Sequence, residues 1–227
     1  MVATRAANTS KRKPKTEVKF LTELNSEQKV ASETILKNDV VLLTGQAGSG
    51  KTLLACSVAL QQFVNREIDR IIISRPAVSA ADDIGFLPGT MQDKMDPWLA
   101  PIYGNLYQLL PKATIDNMIK QGDIEIVPLS YVRGRTFLKS FVIIDEAQNV
   151  NTNQTQMLIG RLGIDSRMVF CGDVSQVDLR RGATGLTIFN SLAKHISGVE
   201  VVTLLKNHRH PIVPLILDYI SENSENV

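Results

Sequence analysis
Short apolar runs recur along the chain, each bounded by polar or turn-forming residues. Val40-Val41-Leu42-Leu43 lies between Asp39 and Gly45. Similar runs follow at Ile71-Ile72-Ile73, Ile124-Glu125-Ile126-Val127, Phe141-Val142-Ile143-Ile144, Met168-Val169-Phe170-Cys171 and Val201-Val202-Thr203-Leu204. Runs this short and this uniformly apolar read as strands covered on both faces, the kind that parallel sheets use. Helical stretches fall between several of them, clearest over 50–64, 112–121 and 152–162. A further helix is predicted from Leu24, with Asn25 or Ser26 as cap and Glu27 in its first turn. This alternation predicts an α/β domain with a mostly parallel sheet flanked by helices.

One segment breaks the rhythm. Residues 75–111 hold Pro76, Pro88, Pro97, Pro101 and Pro111 with Gly85, Gly89 and Gly104. That is too long for a simple connection, so an ordered functional insertion is expected. Its apolar residues Phe86, Leu87, Met95, Trp98, Leu99, Ile102 and Tyr103 must pack on the body or on a neighbouring subunit.

Composition narrows the class. The chain has 227 residues, 44% hydrophobic and 21% charged, enough for one domain with a core. Only 5% is aromatic, so that core is built from aliphatic side chains. No apolar run reaches the ~18 residues of a membrane span, and the N-terminus lacks a secretory h-region. Two cysteines, Cys56 and Cys171, sit in apolar runs, which excludes a disulfide scaffold or a four-cysteine zinc site. The net charge is +2, but Arg5, Lys11, Arg12, Lys13, Lys15 and Lys19 crowd the first 19 residues against Glu17 alone. Residues 1–19 therefore read as a basic, disordered tail, and 20–227 as a single domain without a strong basic excess.

Gly45-Gln46-Ala47-Gly48-Ser49-Gly50-Lys51-Thr52 fits G-x-x-x-x-G-K-[ST] in full. The glycines permit a tight turn whose amides converge on phosphate oxygens, and the helix that follows adds its positive end. Lys51 would reach the β- and γ-phosphates and Thr52 would bind Mg²⁺; Leu53 continues the site into the helix. The pattern follows a predicted strand and opens a predicted helix, the context a P-loop requires. Phe141-Val142-Ile143-Ile144-Asp145-Glu146 supplies a metal carboxylate, Asp145, at the carboxyl end of another strand. Glu146 beside it is placed to polarise an attacking water. The strand 168–171 ends in Gly172-Asp173-Val174-Ser175-Gln176. In P-loop proteins with such an acid pair, this strand commonly lies between the acid strand and the P-loop strand. Gln176 is then a γ-phosphate sensor, with Asp173 as support.

These residues together resemble the PhoH family of P-loop ATPases, over roughly 20–220. The matching stretches run in family order: Gly45–Thr52, Ser74-Arg75-Pro76, Gly85-Phe86-Leu87-Pro88-Gly89, Lys94-Met95-Asp96-Pro97, Arg133-Gly134-Arg135-Thr136-Phe137, Ile144-Asp145-Glu146-Ala147-Gln148-Asn149, Gly172–Leu179 and Arg209-His210-Pro211. The compact length is similar to that of short members carried by phages and some bacteria. The resemblance implies a RecA-like core related to superfamily 1 helicases, a cytoplasmic ATPase (host cytoplasm if phage-borne), a hexameric ring and an RNA-related role. Leu24-Asn25-Ser26-Glu27-Gln28 resembles the helicase element whose Gln contacts adenine, which makes Gln28 a base-reading candidate. Ala81-Asp82, Gly104 and Lys206-Asn207-His208 depart from the family pattern.

Helicases of this type close two RecA-like domains on one ATP, and this chain has one. A cation for the transferring phosphoryl group must come from a neighbouring subunit or from the chain's own edge. Arg209 is the leading candidate, with Arg180 and Arg181 as alternatives. A ring would answer the missing domain through subunit contacts. For single-stranded RNA or DNA the candidates are Arg75, at a strand end, and Arg133 and Arg135, flanking Gly134. Tyr131, Phe137 and Trp98 are candidate stacking groups. Two other readings compete with an ATP- and Mg²⁺-dependent motor. One is a nucleotide or nucleoside kinase, since the Asp-Glu-Ala-Gln run also resembles the thymidine kinase acid motif. The other is an assembly protein that uses ATP only to hold subunits together.

Overall fold
A computed structural model describes residues 21–76, 91–173 and 184–223. The predicted tail, Gln176, Arg180 and Arg181 lie outside the described residues. Six strands form one sheet: β1 (Val40–Gly45), β2 (Arg70–Arg75), β3 (Ile124–Pro128), β4 (Ser140–Ile144), β5 (Arg167–Gly172) and β6 (Val199–Leu204). Their order across it is β3-β2-β4-β5-β1-β6, and every pairing is parallel. The strand after the acid pair, β5, therefore does lie between β4 and the P-loop strand β1.

Helices cover both faces, which is why the central strands read as unbroken apolar runs. Alternate residues divide between two cores. Val41, Leu43, Ile71, Ile73, Phe141, Ile143, Val169 and Cys171 face α1 (Ser26–Lys37), α2 (Lys51–Val64), α3 (Met91–Leu109) and α4 (Lys112–Gln121). Val40, Leu42, Ile72, Val142, Ile144, Met168 and Phe170 face the other way. There they meet Leu158 of α5 (Thr152–Ile159) and Phe189 of α6 (Phe189–His195). Phe170 and Phe189 pack with ring centroids 4.9 Å apart. Cys56 and Cys171 are buried free thiols, as their apolar neighbours imply.

Of the expected insertion, the described stretch from Met91 to Leu109 is a helix. It is helical despite Pro97, Pro101 and Gly104 inside it. Each internal proline removes a backbone hydrogen bond and costs about 3 kcal/mol. Tertiary packing offsets this: Leu99, Ile102, Leu106 and Leu109 recur at helical spacing and are buried against α2 and the sheet. Proline content had masked that period. The Asn105 side chain also donates to the Pro101 carbonyl at 3.0 Å.

No helix among the described residues is long and apolar enough to cross a membrane. The last helix, α7 (Ile212–Asn223), has no predicted counterpart. Its residues Ile212, Leu215, Ile216, Tyr219 and Ile220 are exposed on one stripe.

If α3 is held by its apolar face, Ile102→Ala should lower unfolding free energy by about 3 kcal/mol, read from urea denaturation. A loss under about 1 kcal/mol would contradict this packing.

Candidate nucleotide site
Five strand ends converge at the carboxyl edge of the sheet, where parallel α/β proteins bind ligands. β1 delivers the P-loop and β2 ends in Arg75. β4 delivers Asp145 and Glu146, β5 delivers Gly172 and Asp173, and β6 leads into a strap over 205–210. The cavity between them, about 250 Å³, is lined by Gly48, Lys51, Thr52, Asp145, Glu146 and Arg209 among others.

The P-loop backbone has the predicted form. Gly48 and Gly50 have φ of 90° and 83°, the left-handed region that disfavours a Cβ. A Cβ on Gly48 would stand 2.7 Å from the Arg209 stem, and one on Gly50 2.7 Å from the Gln28 amide nitrogen. Gly50 caps α2, so the helix N-terminus opens into the cavity. The Lys51 ammonium donates to the Gly45 and Gln46 carbonyls, at the mouth of the loop. Gln46 and Ala47 form its outer turn, and the buried Ser49 hydroxyl has no hydrogen-bond partner. Leu53 lines the cavity from the first turn of α2.

The two halves of the predicted metal site meet. The Thr52 hydroxyl donates to Asp145 Oδ1 at 2.7 Å, across 93 residues of sequence. Burial holds the Asp145 carboxyl above the usual carboxylate range, and neighbouring Glu146 pushes the same way. Thr52 and Arg75 pull in the opposite direction. A hydroxyl and one carboxylate, both hard oxygen donors, fit Mg²⁺, which takes few protein ligands and fills its shell with water and phosphate.

Glu146 has φ of 51°, a left-handed conformation costing about 1 kcal/mol for a residue with a Cβ. It turns the chain out of β4 into a short 3₁₀ turn, Ala147–Asn149. Its carboxylate accepts from Arg75 Nη2 at 2.9 Å and from Gln148 Nε2 at 2.6 Å. Arg75 Nε also stands 3.9 Å from Asp145 Oδ2.

Sequence reasoning missed two residues here. Gln148 bridges Glu146 to β5, because its Oε1 accepts from the Asp173 backbone amide at 3.1 Å. Gly172 makes that approach possible: a Cβ there would press on Leu186 and the Gln148 amide. The Asp-Glu-Ala-Gln run carried this signal, but it was read only through its acids. Asn105 of α3 lines the cavity from a segment whose helical form the prolines hid.

The remaining predicted residues divide. Gln28 is buried and completes the cap of α1: Asn25 Oδ1 accepts from the Gln28 amide and Gln28 Oε1 from the Asn25 amide. Arg209 lines the cavity of its own chain. Its strap is tied down at both sides. Glu27 accepts from the Leu205 and Lys206 amides, and the His208 amide donates to the Gly48 carbonyl.

The three arginines proposed for nucleic acid do not form one cationic surface. Arg75 is bound into the acid pair, with 19% of its side chain exposed. Arg135 donates to both oxygens of Glu125, whose carboxyl it holds below the usual range. Arg133 is exposed. Of the stacking candidates, Phe137 belongs to the core, Tyr131 is exposed, and the Trp98 side chain lies outside what is described.

A family model described as "PhoH-like protein" matches residues 20–221. The chain belongs to the PhoH-like family. It is 43% identical over 197 residues to a PhoH-like protein of Synechocystis sp., and 42% identical over 185 residues to one of Bacillus subtilis. These alignments cover 86% and 80% of this chain but 60% and 58% of the relatives, so the chain spans less than two thirds of their length. Among solved structures, the large terminase of a thermophilic bacteriophage superposes with a TM-score of 0.52 at 9% identity, covering 88% of this chain and 50% of that one. That likeness extends to the fold alone. With the all-parallel strand order, it makes this PhoH-like domain a RecA-like P-loop NTPase fold.

A carboxyl whose affinity for a proton is raised by burial costs the folded state stability as pH rises through its titration, because the unfolded chain ionises more readily. Asp145→Asn keeps an acceptor for Thr52 and removes that cost. The ligand-free variant should melt a few degrees higher by calorimetry, about 2–4 °C, yet lose Mg²⁺-dependent nucleotide binding. A lower melting temperature would contradict the assignment.

Proposed function
We propose that this domain hydrolyses ATP with Mg²⁺, coupled to binding or remodelling of single-stranded RNA or DNA in a ring-shaped, hexameric oligomer. The observation that carries the ATPase part is the Thr52–Asp145 hydrogen bond, with Glu146 beside it and the P-loop in front. The amides of Gly48 to Thr52 receive the phosphates, and Lys51 turns from the loop carbonyls toward the β- and γ-oxygens. Mg²⁺ between Thr52 and Asp145 would neutralise charge on those oxygens. Glu146 takes the proton of the attacking water, held in direction by Gln148. Arg209 balances charge on the transferring phosphoryl group. Gln176 completes the reading as γ-phosphate sensor. Gln28 keeps its Oε1 in the cap and offers Nε2, a donor suited to a purine ring nitrogen.

The polymer part of the reading rests on the family's helicase-like character and on Arg75 and Arg133 near the ligand edge. The ring rests on α7, whose exposed apolar stripe calls for a partner surface, here a second copy of the chain.

Glu146→Gln should bind ATP with near-normal affinity and hydrolyse it at least about 100-fold more slowly. Lys51→Ala should lose binding and turnover together. Normal turnover by the Gln variant would remove Glu146 as the base.

A further inference from the structure
Arg75 was expected to touch nucleic acid, and the structure finds it paired with Glu146, the proposed base. The sheet register and the chemistry of guanidinium reconcile the two. Ser74 pairs with Ile144 in the sheet, so the residues that follow them fall side by side: Arg75, the last residue of β2, next to Asp145 and Glu146. The guanidinium sits 2.9 Å from Glu146 Oε1 and 3.9 Å from Asp145 Oδ2. Gln148 takes the other Glu146 oxygen at 2.6 Å. Both oxygens of the base are therefore engaged by donors, one of them charged. Oε1 is thus occupied by a guanidinium N–H and is not open to a water approaching from that side. Guanidinium binds phosphate in the same forked geometry as carboxylate, so Arg75 can exchange one anion for the other.

We propose that Arg75 is a regulatory positioning residue: it restrains Glu146 when no strand is bound, and a backbone phosphate of a bound single strand draws it away. Glu146 Oε1 is then released to accept the proton of water, while Gln148 keeps the carboxylate aligned. No new bond-making step is involved; an ion pair is exchanged for another. The inference rests on the proposed coupling to single strands and supplies its switch. The restraint lies inside one chain, so it acts whatever the oligomer.

The test uses the full chain with Arg75→Gln and Arg75→Lys. ATP turnover is measured alone and with poly(U) or poly(dT). Strand affinity is measured without nucleotide, by anisotropy of labelled oligo(U) and oligo(dT). Wild type should turn over slowly alone and faster with one of the polymers, which identifies the strand. Arg75→Gln should raise the strand-independent rate about tenfold, the effect of losing one charge-assisted hydrogen bond, with KM for ATP unchanged. Its further stimulation should vanish and its strand affinity fall. Arg75→Lys, which keeps the charge without the fork, should lie between the two. A Gln or Lys variant that is slower than wild type alone yet stimulated by the same ratio makes Arg75 a mere support and overturns the inference, leaving coupling intact. A wild type that neither binds nor responds to either polymer overturns the coupling itself, and the inference with it.

Discussion
The hydrogen bond between Thr52 and Asp145 ties together everything else at this site. It joins the first turn of α2 to the end of β4, although β5 lies between β4 and β1, the strand that leads into α2. It forms here across a sheet whose order places β5 between β1 and β4. It requires a carboxylate to be buried, and burial raises that carboxyl's affinity for a proton. A divalent cation held there would relieve the same strain by supplying positive charge where water has been removed.

Without that cation, positive charge comes from Arg75. One guanidinium faces two adjacent acids, and the closer contact is to Glu146 rather than to Asp145. This ordering matters. It leaves Asp145 joined to Thr52 and engages Glu146, the proposed base. Gln148 holds the same carboxylate from the other side and links it to the tip of β5 through the Asp173 amide. Acid strand, neighbouring strand and β2 therefore meet on a single side chain, Glu146.

Much of this was legible from the order of residues. All six strands were readable because parallel strands covered on both faces are apolar throughout, and short apolar runs between turns fit a buried sheet better than any surface element. The P-loop and the acid pair were readable because phosphate and metal chemistry demands particular residues at particular spacing. The helix Met91–Leu109 was hidden because local proline content argues against helix, while the packing that overrides it involves distant residues. The role of Arg75 was half visible: its place at a strand end marked it as functional, but its partner lies 71 residues away. Arg135 misled for the same reason, since its commitment to Glu125 depends on how the loop folds back on β3. The capping role of Gln28 was local and visible in part; its burial beside Gly50 was not.

The central claim is that Thr52 and Asp145 form one cation site that binds nucleotide through a shared metal. The direct measurement is calorimetric titration of ADP into wild type and Thr52→Val, each with and without Mg²⁺. Mg²⁺ should tighten ADP binding to wild type about tenfold or more, and should change little in the variant, whose affinity without metal stays near normal. Equal tightening by Mg²⁺ in both proteins would contradict the account.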